Sequence, residues 1–566
     1  MSLMKWLCAI VWVSMLGACT ATELPPLNRS ATSTSTQVDT LLINGQVLTL
    51  ADSSTTTDPT PTSVAVSGER IVAVGGAELA QQYAAKQTID LAGATLLPGF
   101  NDTHIHIEGN ARRYIDLTEV TSIAQMQTLV AQRAKQLGRE EWITGYGWSE
   151  DELMEKRKPT RADFDTAAPQ NPVVLTRAGA HSAVANSSAL QLAGFTNNSP
   201  DPQNGSLERN AEGELTGVIR ERQDLLLALV PRASETELAA SLATNLQRLF
   251  ALGITSITQA TATEDELARW RRVYDTQRGE LPRAAVQLLW PGPAKFKAFA
   301  GRSGDGDEHF RLGPLKVFVD GGFTGPAAYT KAPYRNEKSY RGKLALTEAE
   351  LTQIVTTAHN AGWQMGIHAI GDAAIELVVD ELVTAISAAE RKQKLGTRHY
   401  LNHFTVMPSA ATMQKMADHN IWITQQPNFT YTLEGRYVAY LDGSRLETNN
   451  PLRTPMSHGV FMALSSDILP IGPMVGIYAA VTRKGMSGRV FGADEALSVR
   501  EGLVGYTKNA AYFTSEEALK GTIEVGKLAD FVVLGANPET MEPSKLLNLP
   551  VEQTWLGGRR VFLRTP

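Results

Sequence analysis

Leu97-Pro98-Gly99-Phe100-Asn101-Asp102-Thr103-His104-Ile105-His106 is the stretch from which the rest of the chain is read. The apolar run Ala94 to Leu97 predicts a short buried strand, broken by Pro98-Gly99 and followed by two histidines at a spacing of two. Residues i and i+2 of an extended backbone point to the same side. His104 and His106 can therefore aim both imidazoles at one point, as a shared metal ion requires. The plainer reading is two polar residues lining one strand face.

Downstream, apolar strand-like runs alternate with amphipathic stretches. Gly253 to Ile257, Leu315 to Val319, Gln364 to His368 and Val460 to Leu464 read as strands, while Glu348 to Ala361 and Asp372 to Ile386 carry helical periodicity. Such alternation implies β/α units on a parallel sheet. At this chain length, with polar residues at the strand ends, it predicts a (β/α)8 barrel over 94–514 with its site at the carboxyl ends of the strands. Gly, Asn and Pro clusters, such as Asn197-Asn198-Ser199-Pro200, interrupt the rhythm between about 110 and 240 and predict a loop-rich insertion near the barrel mouth. Short strand signals lie at both ends. Leu41-Leu42-Ile43 and Gln46 to Leu50 flank Asn44-Gly45, a hairpin signal; Val64 to Val66 and Ile71 to Val74 flank a second turn. Ala529 to Leu534 and Val551 to Phe562 answer them, predicting one small β-sandwich from 38–93 and 515–566.

Lys5, the apolar run Trp6 to Leu16 and Gly17-Ala18-Cys19 form a secretory signal over 1–18, too short to span a membrane as a helix. It resembles a bacterial lipoprotein signal, which implies acylation of Cys19. The other cysteine, Cys8, lies inside the signal, so the mature chain holds no internal disulfide. Residues 19–37, rich in Thr, Ser, Pro and Ala, read as a flexible tether. The expected location is the bacterial cell envelope, on the periplasmic side with the outer membrane favoured, and membrane contact runs through the lipid anchor alone. A net charge of −6 without a basic run argues against a nucleic-acid partner. A homodimer is the expected assembly.

Further candidates close apolar runs. Lys316 sits inside Leu-Lys-Val-Phe-Val-Asp-Gly-Gly, where a buried ammonium is costly unless neutralised or paired; a Lys316–Asp320 ion pair or a side chain reaching the surface would also account for it. His368, His403 and Asp467 each end a strand-like run. The order His-x-His, Lys, His, His, Asp resembles the metal-dependent amidohydrolase superfamily, and more narrowly amidohydrolase family 3, the YtcJ-like group. Leu97 to His106, Arg177 to Ser187, Lys316 to Gly322, His368 to Asp372, Ser466-Asp467 and Gly521 to Asp530 carry the resemblance.

The resemblance implies that His104, His106 and Asp467 hold a first divalent metal, zinc by expectation, and that His368 and His403 hold a second. It further implies a carboxylated Lys316 bridging the two, and hydrolysis of a small-molecule amide or N-acyl amine by a metal-activated hydroxide. Asp467 would orient the water and move its proton, which makes Asp467 and Lys316 the catalytic pair. His181, Asn186 and Asp372 are the expected substrate contacts, with a helix N-cap as the other reading of Asp372. Two positions depart from the family: Asn402 stands where Glu is usual, which questions the hold on His403, and Gly322 stands where Ser is usual. Cyclic amide opening or a deaminase-like reaction on the same ligands is the nearest alternative. A catalytically inactive ligand-binding surface lipoprotein is the remaining one.

Overall fold

The computed structural model describes residues 35–52, 60–118, 120–150, 153–178, 182–323, 326–390, 398–468 and 470–565. The signal segment, Cys19 and His181 lie outside these residues. Among them, no helix is long and apolar enough to cross a membrane.

The centre is an eight-stranded parallel sheet. Its strands are β1 (Phe100–Ile105), β2 (Ile254–Ala262), β3 (Arg283–Leu289), β4 (Phe310–Phe318), β5 (Met365–Ala369), β6 (Tyr400–His403), β7 (Trp422–Gln425) and β8 (Met462–Leu464). Covered on both faces, these strands are buried almost throughout, as a parallel sheet wrapped by helices requires. The predicted helices form over Glu348–Asn360 and Asp372–Glu390. The first begins at a capping box, with Thr347 accepting from the Glu350 N–H and Glu350 accepting from the Thr347 N–H. Among the described residues the sheet closes into a barrel through one parallel bridge, Ile105 to Asp467. There the Asp467 N–H donates to the His104 carbonyl at 2.7 Å and the His106 N–H to the Asp467 carbonyl at 3.4 Å.

The chain ends build a sandwich under the barrel. A four-stranded sheet runs in the order Arg70–Gly75, Ser63–Ser67, Thr36–Ile43, Tyr83–Asp90. A five-stranded sheet runs Gln46–Val47, Thr95–Pro98, Phe531–Leu534, Val551–Leu556, Arg559–Leu563. Leu42, Val64 and Ile71 from the first pack on Leu96, Phe531 and Trp555 from the second. Two expectations change here. Asn44-Gly45 is no hairpin: only Asn44 takes a left-handed φ (57°), whereas the tight hairpin turn needs both residues there, so the chain turns a corner from one sheet to the other. Thr95–Pro98 belongs to the sandwich, and the barrel starts at Phe100. Gly99 between them is required by close approach, since a Cβ there would stand 2.1 Å from Thr255 Oγ1.

Sandwich and barrel are joined by a buried ion pair. Arg283, at the start of β3 and 1% exposed, meets Asp530 with Nε–Oδ2 at 2.7 Å and Nη2–Oδ1 at 3.1 Å. Burial opposes the Arg283 charge, and the Asp530 carboxylate more than offsets it, holding the guanidinium above its ordinary value.

The insertion is a folded sheet rather than a set of loops. Six strands run in the order Ser206–Arg209, Leu215–Arg220, Ser182–Ala185, Val173–Arg177, Ile143–Trp148, Tyr114–Asp116. Alternate residues feed two cores: Val173 and Leu175 join Met126, Trp148 and Phe164, while Val174 joins Leu190, Leu207 and Ile219. The Gly, Asn and Pro clusters mark the turns between short strands, and that density of turns hid the sheet.

Candidate active site

All the metal-ligand candidates lie at the carboxyl ends of barrel strands. His104 on β1 is fully buried and His106, just past it, keeps a 27% exposed side chain. Their rings lie 5.5 Å apart, as the i, i+2 geometry predicts. Asp467, past β8, brings Oδ1 to 3.5 Å from His106 Nε2 and Oδ2 to 3.9 Å from His104 Nε2. The His403 ring stands between those of His104 (4.9 Å) and His368 (4.4 Å). His104, His403 and Asp467 offer ligand atoms within 4.8 Å of one another, so His403 is shared between the two groups that the sequence suggested. His403 (φ 81°) and Asp467 (φ 55°) both adopt left-handed backbone. Non-glycine residues hold that conformation at a cost of about 1–3 kcal/mol where the surroundings impose it, and such positions cluster at functional sites.

Lys316 on β4 is fully buried and its Nζ has no hydrogen-bond partner. It does not reach the surface, nor does it pair with Asp320. The Asp320 carboxylate instead accepts from the N–H groups of Tyr329, Ile370 and Gly371 at 2.9–3.0 Å. Lys316 Nζ lies 4.7 Å from the centre of the Phe318 ring. Burial pushes the Lys316 ammonium down and the Asp467 carboxyl up, and each charge partly restores the other. Burial, with the nearby Lys316 charge, also pushes His106 and His368 down to about 3, and His104 and His403 fall well below the usual imidazole range. The four rings are therefore neutral, with lone pairs to offer.

A direct fit test follows from the unsatisfied atoms. His104 Nε2, His368 Nε2 and Lys316 Nζ are all buried without a hydrogen-bond partner. Leaving such atoms unpaired is costly, and native proteins rarely do so without a ligand or water. Neutral imidazoles and a carboxylate are the donor set of a divalent transition-metal site, so the residues fit a metal.

The supporting contacts correct one expectation. Asn402 does not act on His403; its Oδ1 lies 2.7 Å from His104 Nδ1, and His403 Nδ1 is held instead by Gln426 Oε1 at 2.8 Å. His403 takes left-handed backbone where Asn402 is still in the strand, so the two side chains serve different partners. Asp102, two residues before His104, accepts from the His104 and Ser466 N–H groups. The i, i+2 rule that paired the histidines also points at Asp102. Gln426, just past β7, carried no motif.

The proposed substrate contacts fare differently. Asn186 is buried and caps the helix Ser187–Leu192; its Oδ1 accepts from Val173 and Ala189 and its Nδ2 donates to Asn171 O. Its side chain is engaged by backbone inside the insertion and does not reach the barrel mouth. Asp372 opens the helix Asp372–Glu390 and accepts from the Lys331 N–H at 2.9 Å, an anchor for the adjoining loop. Trp148 and Phe323 are core residues. A cavity of about 2050 Å³ lies between barrel and insertion, with His106 and Asp467 in its wall opposite Arg133 and Tyr146, and Tyr431 and Ile468 beside them.

The model of the amidohydrolase family matches residues 87–562. The chain is 29% identical to YtcJ of Bacillus subtilis (strain 168), an amidohydrolase by name, across 86% of this chain and 92% of that one. It is 28% identical to the N-substituted formamide deformylase of Arthrobacter pascens, across 93% and 99%. The solved structure of an uncharacterized metal-dependent hydrolase from Pyrococcus furiosus superposes with a TM-score of 0.67 at 25% identity, covering 88% of this chain and all of that one. With a family model over most of its length and a buried His, His, Asp cluster at the barrel mouth, the chain belongs to the amidohydrolase family.

Proposed function

We propose that this protein is a zinc-dependent hydrolase of a non-peptide carbon–nitrogen bond, an amide or N-acyl amine of a small molecule. The observation that carries the reading is that His104 Nε2, His368 Nε2 and Lys316 Nζ are buried without a hydrogen-bond partner at the strand ends that also hold the His104, His403 and Asp467 cluster. The named activity of the Arthrobacter pascens relative supports the bond type. His104, His106, His368, His403 and Asp467 would hold the metal, which when bound supplies Lewis acidity and lowers the pKa of water. Asp467 receives a proton at its carboxylate and returns it to the leaving nitrogen, a role suited to a carboxyl raised by burial. His106, partly exposed to the cavity, bounds the space where the scissile carbonyl sits. Lys316, buried without a counter-ion in contact, adds carbon dioxide at Nζ: the amine forms the N–C bond, loses one proton and becomes an anionic carbamate. Cys19 anchors the protein in the cell envelope.

Metal content per chain tests the reading. Protein purified without chelator and with bicarbonate is expected to carry zinc, two ions per chain if the carbamate bridges, and to release amine from N-substituted formamides or N-acyl amines. Lys316→Ala is expected to lose metal as well as activity. A chain that takes up no metal even after addition sinks the hydrolase and leaves a ligand-binding protein. Product analysis on linear against cyclic amides separates the proposed reaction from ring opening.

A further inference from the structure

His403 has no ring direction imposed by regular strand geometry, because its backbone is left-handed. Something outside the strand must hold it. Its Nδ1 lies 2.8 Å from Gln426 Oε1. A carboxamide can in principle face either way, and here chemistry removes the choice. Gln426 Nε2 lies 3.1 Å from the Thr424 carbonyl oxygen, which only accepts. It also lies 2.8 Å from Ser465 Oγ, which itself donates to Gln425 O at 3.2 Å. Turning the amide over would set two carbonyl oxygens against each other. Oε1 therefore faces His403, and an oxygen that only accepts requires the proton on Nδ1. The lone pair is left on Nε2.

Thr424, Gln426 and Ser465 are all fully buried, so water does not compete for these bonds. Thr424 Oγ1 also bonds Ser465 Oγ at 2.9 Å and Thr103 Oγ1, tying the network to β1 and to the start of the segment that ends at Asp467. Asn402, which serves His104, lacks such a lock: its Nδ2 has no partner.

We propose that Gln426 is the positioning residue of the metal centre, fixing His403 as an Nε2 donor through a carboxamide locked by Thr424 and Ser465. The proposal rests on the metal-dependent reading for its function but not for the tautomer. It is tested by Co2+ affinity in chelator competition and by the His403 tautomer in metal-free, 15N-histidine-labelled protein, assigned against His403→Asn. Metal-free wild type is expected in the Nδ1–H form. Gln426→Leu is expected to populate both tautomers and weaken Co2+ binding about 10–100-fold. An Nε2–H tautomer in wild type overturns the proposal whether or not any variant folds. So does a Gln426→Leu protein with wild-type melting temperature and unchanged Co2+ affinity. Wild type that binds no Co2+ overturns the metal-dependent reading, and the tautomer still decides the positioning.

Discussion

Asp467→Asn is expected to lower kcat about 10²–10⁴-fold, the range over which a positioned proton-transfer group contributes. The substitution is nearly isosteric, and the seam that locates residue 467 is made by its backbone N–H and carbonyl rather than by its side chain. The variant should therefore fold and, at equal metal loading, melt like wild type. The lost quantity is a carboxylate that can take a proton beside His104, His106 and His403, at 3.5–3.9 Å from their ring nitrogens. An amide oxygen can still approach a cation but cannot take that proton at neutral pH. The measurement is a kcat and KM pair on an N-substituted formamide that wild type turns over, with metal content determined on the same sample. A kcat within threefold of wild type at equal metal content would remove Asp467 from the chemistry.

Arg283→Met is expected to cost about 3–5 kcal/mol, because removing one partner strands a buried charge. Asp530 is only 5% exposed, and its other side-chain hydrogen bond comes from the Gly557 N–H at 2.8 Å, too little to carry a carboxylate out of water. Methionine replaces the volume of the arginine stem, so the loss reports charge rather than a cavity. Adding Asp530→Asn to Arg283→Met should recover most of the loss, since no isolated charge then remains. Urea and thermal unfolding of the two variants beside wild type measure this. A single variant within 1 kcal/mol of wild type would show that the pair contributes little to holding sandwich and barrel together.

Much of this molecule is legible in its sequence. Strands such as β5 and β8 are apolar runs closed by polar residues, and both signals survive in a linear string because a parallel sheet is buried on both faces. His104 and His106 were readable for the same reason: a period of two is local. What the sequence concealed depends on partners far apart in the chain. Asn402 contacts a residue from β1, 298 positions away, and nothing local distinguishes that from contact with its neighbour His403. Gln426 has its meaning only through Thr424, Ser465 and His403 together. Asn186 misled in the opposite direction, since a polar residue five positions after a histidine in an insertion that reads as loop-rich resembles a binding loop until its carboxamide is seen capping a helix. The Asn44-Gly45 turn failed because a tight hairpin depends on two backbone torsions that the sequence permits but does not impose.

Among the described residues, the backbone bridge that closes the barrel lies at the site. That bridge between first and last strands is formed by the stretch His104 to His106 against Asp467, so the hydrogen bonds that complete the cylinder also carry the ligands. Assembly and function share one clasp. A folding intermediate whose eighth strand has not docked has neither a finished barrel nor Asp467 in place, and is silent toward substrate. Conversely, a cation gripped across that seam acts as a rivet in the wall: at a hundred times its dissociation constant it adds about 2.7 kcal/mol to the folded state.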